Sequence, residues 1–137
     1  RALGVVTSNG VLMCNWTLLH LFVDENGVSR VDSHFTQELV AVDFAPPAPP
    51  MFVSHVVDAQ SLAMIELPVG WHGDWHPSPK RQWVICLAGE MGYKAGDGTE
   101  FTLRPGTCIL TTDTHGRGHN SWNAGAVPVR LALVQLR

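Results

Sequence analysis

Two stretches concentrate the residue types that can do chemistry. The first runs from Gly70 to Gly89, GWHGDWHPSPKRQWVICLAG, and the second covers residues 111–123, TTDTHGRGHNSWN. Between them they carry His72, His76, His115 and His119, with Ser78 and Gln82 close behind His76. Imidazole suits zinc, iron, nickel or copper, and it also moves protons near neutral pH. If the segment after Gly70 is extended, His72, Asp74, His76 and Ser78 share one face. Gln82, Val84 and Cys86 continue that parity past the Pro-Ser-Pro turn. His72, His76 and Gln82 then point two imidazoles and an amide oxygen into one interior, and a loop that returns His119 to a neighbouring strand completes a site drawn from distant parts of the chain.

The elements that must hold these residues read as β. TLLHLFV (17–23), the DENG turn (24–27) and VSRVDSHF (28–35) predict a hairpin, because Asn-Gly supplies positive φ in tight turns. ELVAVDF (38–44) is β-branched and apolar, and APPAPP (45–50) is an extended connector that cannot donate to a ladder. MFVSHVV, SLAMIELP, QWVICLAG, MGYKAG, TEFTLRPG, TCILTT and VRLALVQL follow as short strands punctuated by glycine, proline and Asp-Gly. VDAQSLAMIEL (57–67) comes nearest to a helical stripe, but it runs into Pro68 and Gly70. Many short strands predict an all-β sandwich or barrel.

Composition narrows the partners. The chain has 137 residues, 45% of them apolar, enough for one domain with a core. Nine basic against twelve acidic residues give a net charge of −3, with no electrostatic footprint for nucleic acid. Three cysteines, Cys14, Cys86 and Cys108, form no CxxC and sit among apolar neighbours, which reads as buried free thiols in a reducing, cytoplasmic setting. GVLMCNWTLLHLFV is too short to span a bilayer, so no membrane partner is expected. The chain does not begin with Met, and a lost leader stays open. The N-terminal strands, with TLLHLFV as an edge that needs covering, predict a homodimer in which they add to the partner's sheet.

The spacing of both clusters resembles the two motifs of the cupin superfamily, G-x5-H-x-H-x3-4-E-x6-G and G-x5-P-x-G-x2-H-x3-N. Gly70, His76, Ser78, Gln82 and Gly89 reproduce the first without a gap, with Ser78 in place of the second histidine and Gln82 in place of the glutamate. Gly116, His119 and Asn123 match the end of the second, and Thr114 stands for its proline. DFAPPAPP, GDWHPSPKRQWV and DTHGRGH are similar to a subgroup of small single-domain cupins with the forms DWHxxPxRQ and DTxGxGH, mostly without an assigned reaction. The resemblance implies a cupin-type double-stranded β-helix, a jelly-roll barrel. It makes residues 1–137 one domain, with N-terminal strands and connector over 1–50 and the barrel core over 51–137.

Carried over residue by residue, the resemblance implies a metal set of His76, Gln82 and His119 around a divalent ion, zinc, iron, nickel or manganese. Ser78 is a poor ligand and is expected to bind water or substrate instead. Loss of the carboxylate removes a negative charge, so the site should be weak. His72 and His115, four residues before His76 and His119, are rescue ligands or proton carriers at the rim; the competing reading makes them exposed loop residues. Catalysis would then fall to His72, His76, His115 and His119. Arg81 would take a carboxylate, and Trp122 would be the pocket aromatic, with Trp71, Trp75 and Trp83 packing elsewhere. Asn123 either belongs to the motif or only closes a turn.

Two function classes follow. One is an enzyme that works on a small oxygenated molecule by isomerase, lyase or cyclase chemistry, with an iron-dependent dioxygenase as a further alternative. The other is a metal-free cupin that binds or senses a small molecule, or that does acid–base work through its histidines alone.

Overall fold

The computed structural model describes residues 5–6, 10 and 12–137, and among these there are eleven strands and no helix. β1 is Val5–Val6, β2 Leu12–Val23, β3 Ser29–Val42, β4 Met51–Val53, β5 Ala59–Leu67 and β6 Gln82–Ala88. β7 is Met91–Lys94, β8 Glu100–Leu103, β9 Cys108–Thr111, β10 Asn120–Asn123 and β11 Val129–Leu136.

The DENG turn closes the β2–β3 hairpin as its residues require. Gly27 takes φ 78°, the Asp24 carbonyl accepts from Gly27 N at 3.1 Å, and Asp24 N donates to the Val28 carbonyl at 2.9 Å. VSRVDSHF and ELVAVDF form one long strand, because the polar residues between them are tolerated on an exposed face. VDAQSLAMIEL is strand β5, paired along its length with β11.

One sheet runs in the order β4-β3-β2-β9-β6-β11-β5, with β1 beside β2, and a second runs β10-β7-β8. Leu21, Ile109, Val84, Cys86, Leu131 and Leu67 of the large sheet meet Met91, Tyr93 and Leu103 of the small one in a single buried cluster. Each such aliphatic side chain contributes about 1.5–3 kcal/mol by leaving water. The sandwich of two sheets with buried residues alternating along β6 and β10 is a jelly-roll.

The expected edge TLLHLFV lies inside the large sheet. Leu19, His20 and Leu21 pair in parallel with Ile109, Leu110 and Thr111 of β9, while β3 covers the other side. Among the described residues the outer strands of that sheet are β1, β4 and β5, and TLLHLFV is covered by its own chain.

Candidate active site

The segment after Gly70 is not a continuous strand. Asp74 has φ 55°, which interrupts the alternation, and only His72 and His76 form bridges, to Trp122 and His119. The segment still runs antiparallel beside residues 119–123. Gly73 N donates to the Ser121 carbonyl at 2.8 Å, and Asn123 N to that of Trp71 at 2.9 Å. The reversal at Asp74 breaks the shared face: His76 turns inward, His72 is exposed, and Trp71 joins the interior.

His76 and His119 are locked together by reciprocal backbone hydrogen bonds of 2.9 and 3.0 Å, with ring centroids 4.7 Å apart. Gly118 makes this approach possible. It has φ 78°, and a Cβ there would run into the His76 carbonyl. β10 is a strand although Asn and Ser disfavour strands, because its pairing with β7 overrides that preference.

Beneath His119 lies a side chain that the sequence reading placed in a motif but gave no role. Asp113 is fully buried, and its Oδ2 sits 2.6 Å from His119 Nδ1. Its Oδ1 accepts from the Ser78 hydroxyl at 2.8 Å, and Ser78 also pairs with Thr111 Oγ1 at 3.0 Å. The signal was the first residue of DTHGRGH, six positions ahead of the histidine. With Nδ1–H donated to a carboxylate, His119 keeps its lone pair on Nε2. His76 does the same through its own backbone, since its Nδ1 lies 2.8 Å from the Asp74 carbonyl oxygen.

His76, Ser78, Gln82 and His119 line one cavity of about 200 Å³. Trp71, Tyr93, Thr111 and Ser121 share its wall. Tyr93 is fully buried between Phe101, stacked at 4.9 Å, and His119 at 5.5 Å. Burial first, then the nearby Asp113 carboxylate, pushes its phenol far up, so it stays in its O–H form.

The remaining expected residues divide. Ser78 lines the cavity, with its hydroxyl donated to Asp113 Oδ1. Arg81 is exposed, because Gln82 next to it on β6 faces in; it borders a separate depression with Asp58 and Arg137. Trp122 alternates outward between Ser121 and Asn123, covers Gly92 and stacks on His72 at 6.4 Å, so Trp71 is the cavity's tryptophan. His115 is exposed, as His72 is, and neither lines the cavity. Asn123 closes a turn: its Nδ2 donates to the Leu67, Pro68 and Val127 carbonyls, and its Oδ1 accepts from Gly125 N.

A family model described as Cupin domain matches residues 63–135, more than half of the chain. The chain is a cupin. The match takes in both histidine clusters and the six strands from β6 to β11. Among solved structures, this cupin is similar to a Cupin 2 conserved barrel domain protein from Leptotrichia buccalis. Identity is 12% and the TM-score 0.43, over 100% of this chain and 88% of that one. It is also similar to the Cnp3 cupin domain of Schizosaccharomyces pombe, at 19% identity and TM-score 0.39, over 90% of this chain and 84% of that one. Comparison with curated proteins finds no match.

A cupin of the usual motif implies a metal, and the donors here can be tested against one. His76 and His119 offer two neutral nitrogens, and Gln82 offers an amide oxygen that already receives a long 3.4 Å contact from Gln135. The nearby carboxylate, Asp113, is used by His119 and Ser78. Among the described residues no three His, Cys, Asp or Glu side chains converge as ligands. A neutral set of two imidazoles and one amide does not fit a tightly held divalent ion.

Proposed function

We propose that this cupin is an acid–base enzyme for a small oxygenated molecule, working through imidazoles with no ion in the proton-transfer step. The observation that carries the reading is the 2.6 Å contact between Asp113 Oδ2 and His119 Nδ1 on the wall of an apolar cavity. A carboxylate that takes the Nδ1 proton fixes the imidazole's tautomer and orientation, and offsets the charge that forms when Nε2 accepts a proton.

The chemistry that follows is enolisation. His119 Nε2 takes a proton from carbon next to a carbonyl; the C–H electron pair becomes a C=C bond, and the carbonyl π pair moves to oxygen. In a substrate whose enolate is conjugated with a further C=C, return of the proton from the same nitrogen to the γ-carbon, with the oxygen pair re-forming the carbonyl, gives the isomer with a shifted double bond. His76, whose Nδ1 is held by the Asp74 carbonyl, adds a second nitrogen beside the first and can hold the proton in transit. The free thiols support a reducing compartment for this activity.

A second reading, a binding cupin without turnover, draws support from the largely apolar wall. The experiment that separates the two is α-proton exchange in deuterium oxide. A panel of enolisable carbonyl compounds, neutral and charged, is followed by proton NMR with native protein and with His119→Ala. Exchange with the native protein that vanishes in the variant is the expected result. Absence of exchange across the whole panel sinks the enzyme reading.

A further inference from the structure

The polar groups of the cavity include two that nothing above uses. Tyr93 on β7 and Ser121 on β10 are direct cross-strand partners, and both side chains line the cavity. Directly opposed residues of an antiparallel pair have Cβ atoms about 5 Å apart, so the two are neighbours on one wall. Ser121 is 1% exposed, and among the described residues its hydroxyl has no hydrogen-bond partner. A buried hydroxyl left unpaired costs about 1–3 kcal/mol, a cost that a ligand supplying the partner removes.

The rest of the wall limits what that ligand can be. Among the described residues no Lys or Arg side chain lines the cavity, and Arg81 borders a different depression. An anion entering here would give up its hydration for neutral donors and the neighbourhood of the Asp113 carboxylate. The apolar lining consists largely of Ile65, Leu67, Val84, Met91, Leu131 and Leu133, which suit a hydrocarbon skeleton. A cavity of about 150 Å³ takes benzene. This one, at about 200 Å³, holds a ring with one further polar substituent.

We infer that the cavity binds an uncharged, ring-sized molecule whose single polar end, a carbonyl or hydroxyl oxygen, seats between Tyr93 and Ser121. This deepens the proposed function, on which it rests for the choice of cavity, and it places the carboxylates expected from an Arg81 anchor outside the substrate class.

The test uses cyclohexanone and cyclohexanecarboxylate as a matched pair, with binding measured by ligand-observed NMR at pH 7.5 on the full chain. Cyclohexanone should bind saturably and about tenfold or more tighter than the carboxylate. Tyr93→Phe and Ser121→Ala keep the shape of the wall, and each should weaken cyclohexanone by about fivefold; the unfolding midpoint should hold in the first and hold or rise in the second, which removes the unpaired hydroxyl. Binding of cyclohexanone with α-deuterium exchange absent from it and from the whole carbonyl panel supports the ligand class while sinking the proton-transfer reading. Carboxylate binding as tight as that of the ketone, no binding of either probe, or ketone binding untouched by both substitutions overturns the inference.

Discussion

Asp113 grips two segments at once: its Oδ2 lies 2.6 Å from His119 Nδ1, and its Oδ1 accepts the Ser78 hydroxyl at 2.8 Å. The residue that replaces the motif's second histidine thus holds the carboxylate that orients the remaining one. Ser78 N also donates to the Asp113 carbonyl at 3.0 Å, so the pairing joins backbones as well as side chains.

Ser78→Ala removes one partner of a buried carboxylate and should cost about 1–3 kcal/mol of unfolding free energy. Urea denaturation measures it. A cost within about 0.5 kcal/mol of zero would mean that Asp113 does not depend on this hydroxyl.

Gln82→Glu turns two imidazoles and an amide into two imidazoles and a carboxylate. The variant should bind zinc or manganese about tenfold or more tighter than the native chain, as calorimetry would show. A stoichiometric ion that survives dialysis of the native protein would contradict the reading of its donor set.

Gly118→Ala places a methyl group where the His76 carbonyl stands, on a backbone with φ 78°. Both effects act against the His76–His119 bridge, and the loss should exceed about 2 kcal/mol in a thermal or urea melt, together with weaker α-proton exchange. A native-like melt would mean that the two histidines can separate freely.

His20 adds a pH dependence outside the cavity. Burial first lowers it below its ordinary value of 6.5, partly opposed by Asp32 and reinforced by Arg81. Its Nε2 meets Thr112 Oγ1 at 2.8 Å, and its ring lies 4.9 Å from Phe35 and 5.4 Å from Phe22. A lowered folded value means that the unfolded chain takes the proton first. Stability should therefore fall as pH drops below 6.5 and level off below the folded value. His20→Gln should flatten the native curve in that window, as urea midpoints between pH 5 and 7.5 would show; parallel curves would refute this.

Most strands were legible because each short apolar run ends at a glycine, a proline or Asp-Gly, and the DENG hairpin formed where Gly27 supplies positive φ. The gathering of His76, Gln82 and His119 on one cavity was legible from motif spacing. Four features were not. Asp74 takes a positive φ that no glycine announces, so strand parity misplaced His72 and Trp71, while Ser78 faces the interior as parity placed it. β10 is made of Asn, Ser, Trp and Asn, and only its pairing with β7 makes it a strand. Asp113 is six residues from His119 in a loop, and its contact depends on the turn that Gly116 and Gly118 allow, both with φ 78°. The position of TLLHLFV inside the sheet follows from a parallel pairing with β9, about ninety residues away in sequence, which local patterns do not encode.

The central claim is that Asp113 fixes His119 with its lone pair on Nε2, ready to take a proton. Long-range proton–nitrogen NMR of the imidazoles reads this directly. The account predicts that His119 carries its proton on Nδ1 in the native protein, that addition of zinc chelator leaves its nitrogen shifts unchanged, and that Asp113→Asn shifts both nitrogens and slows α-proton exchange by about 100-fold. A His119 proton on Nε2, or nitrogen shifts indifferent to Asp113→Asn, would contradict it.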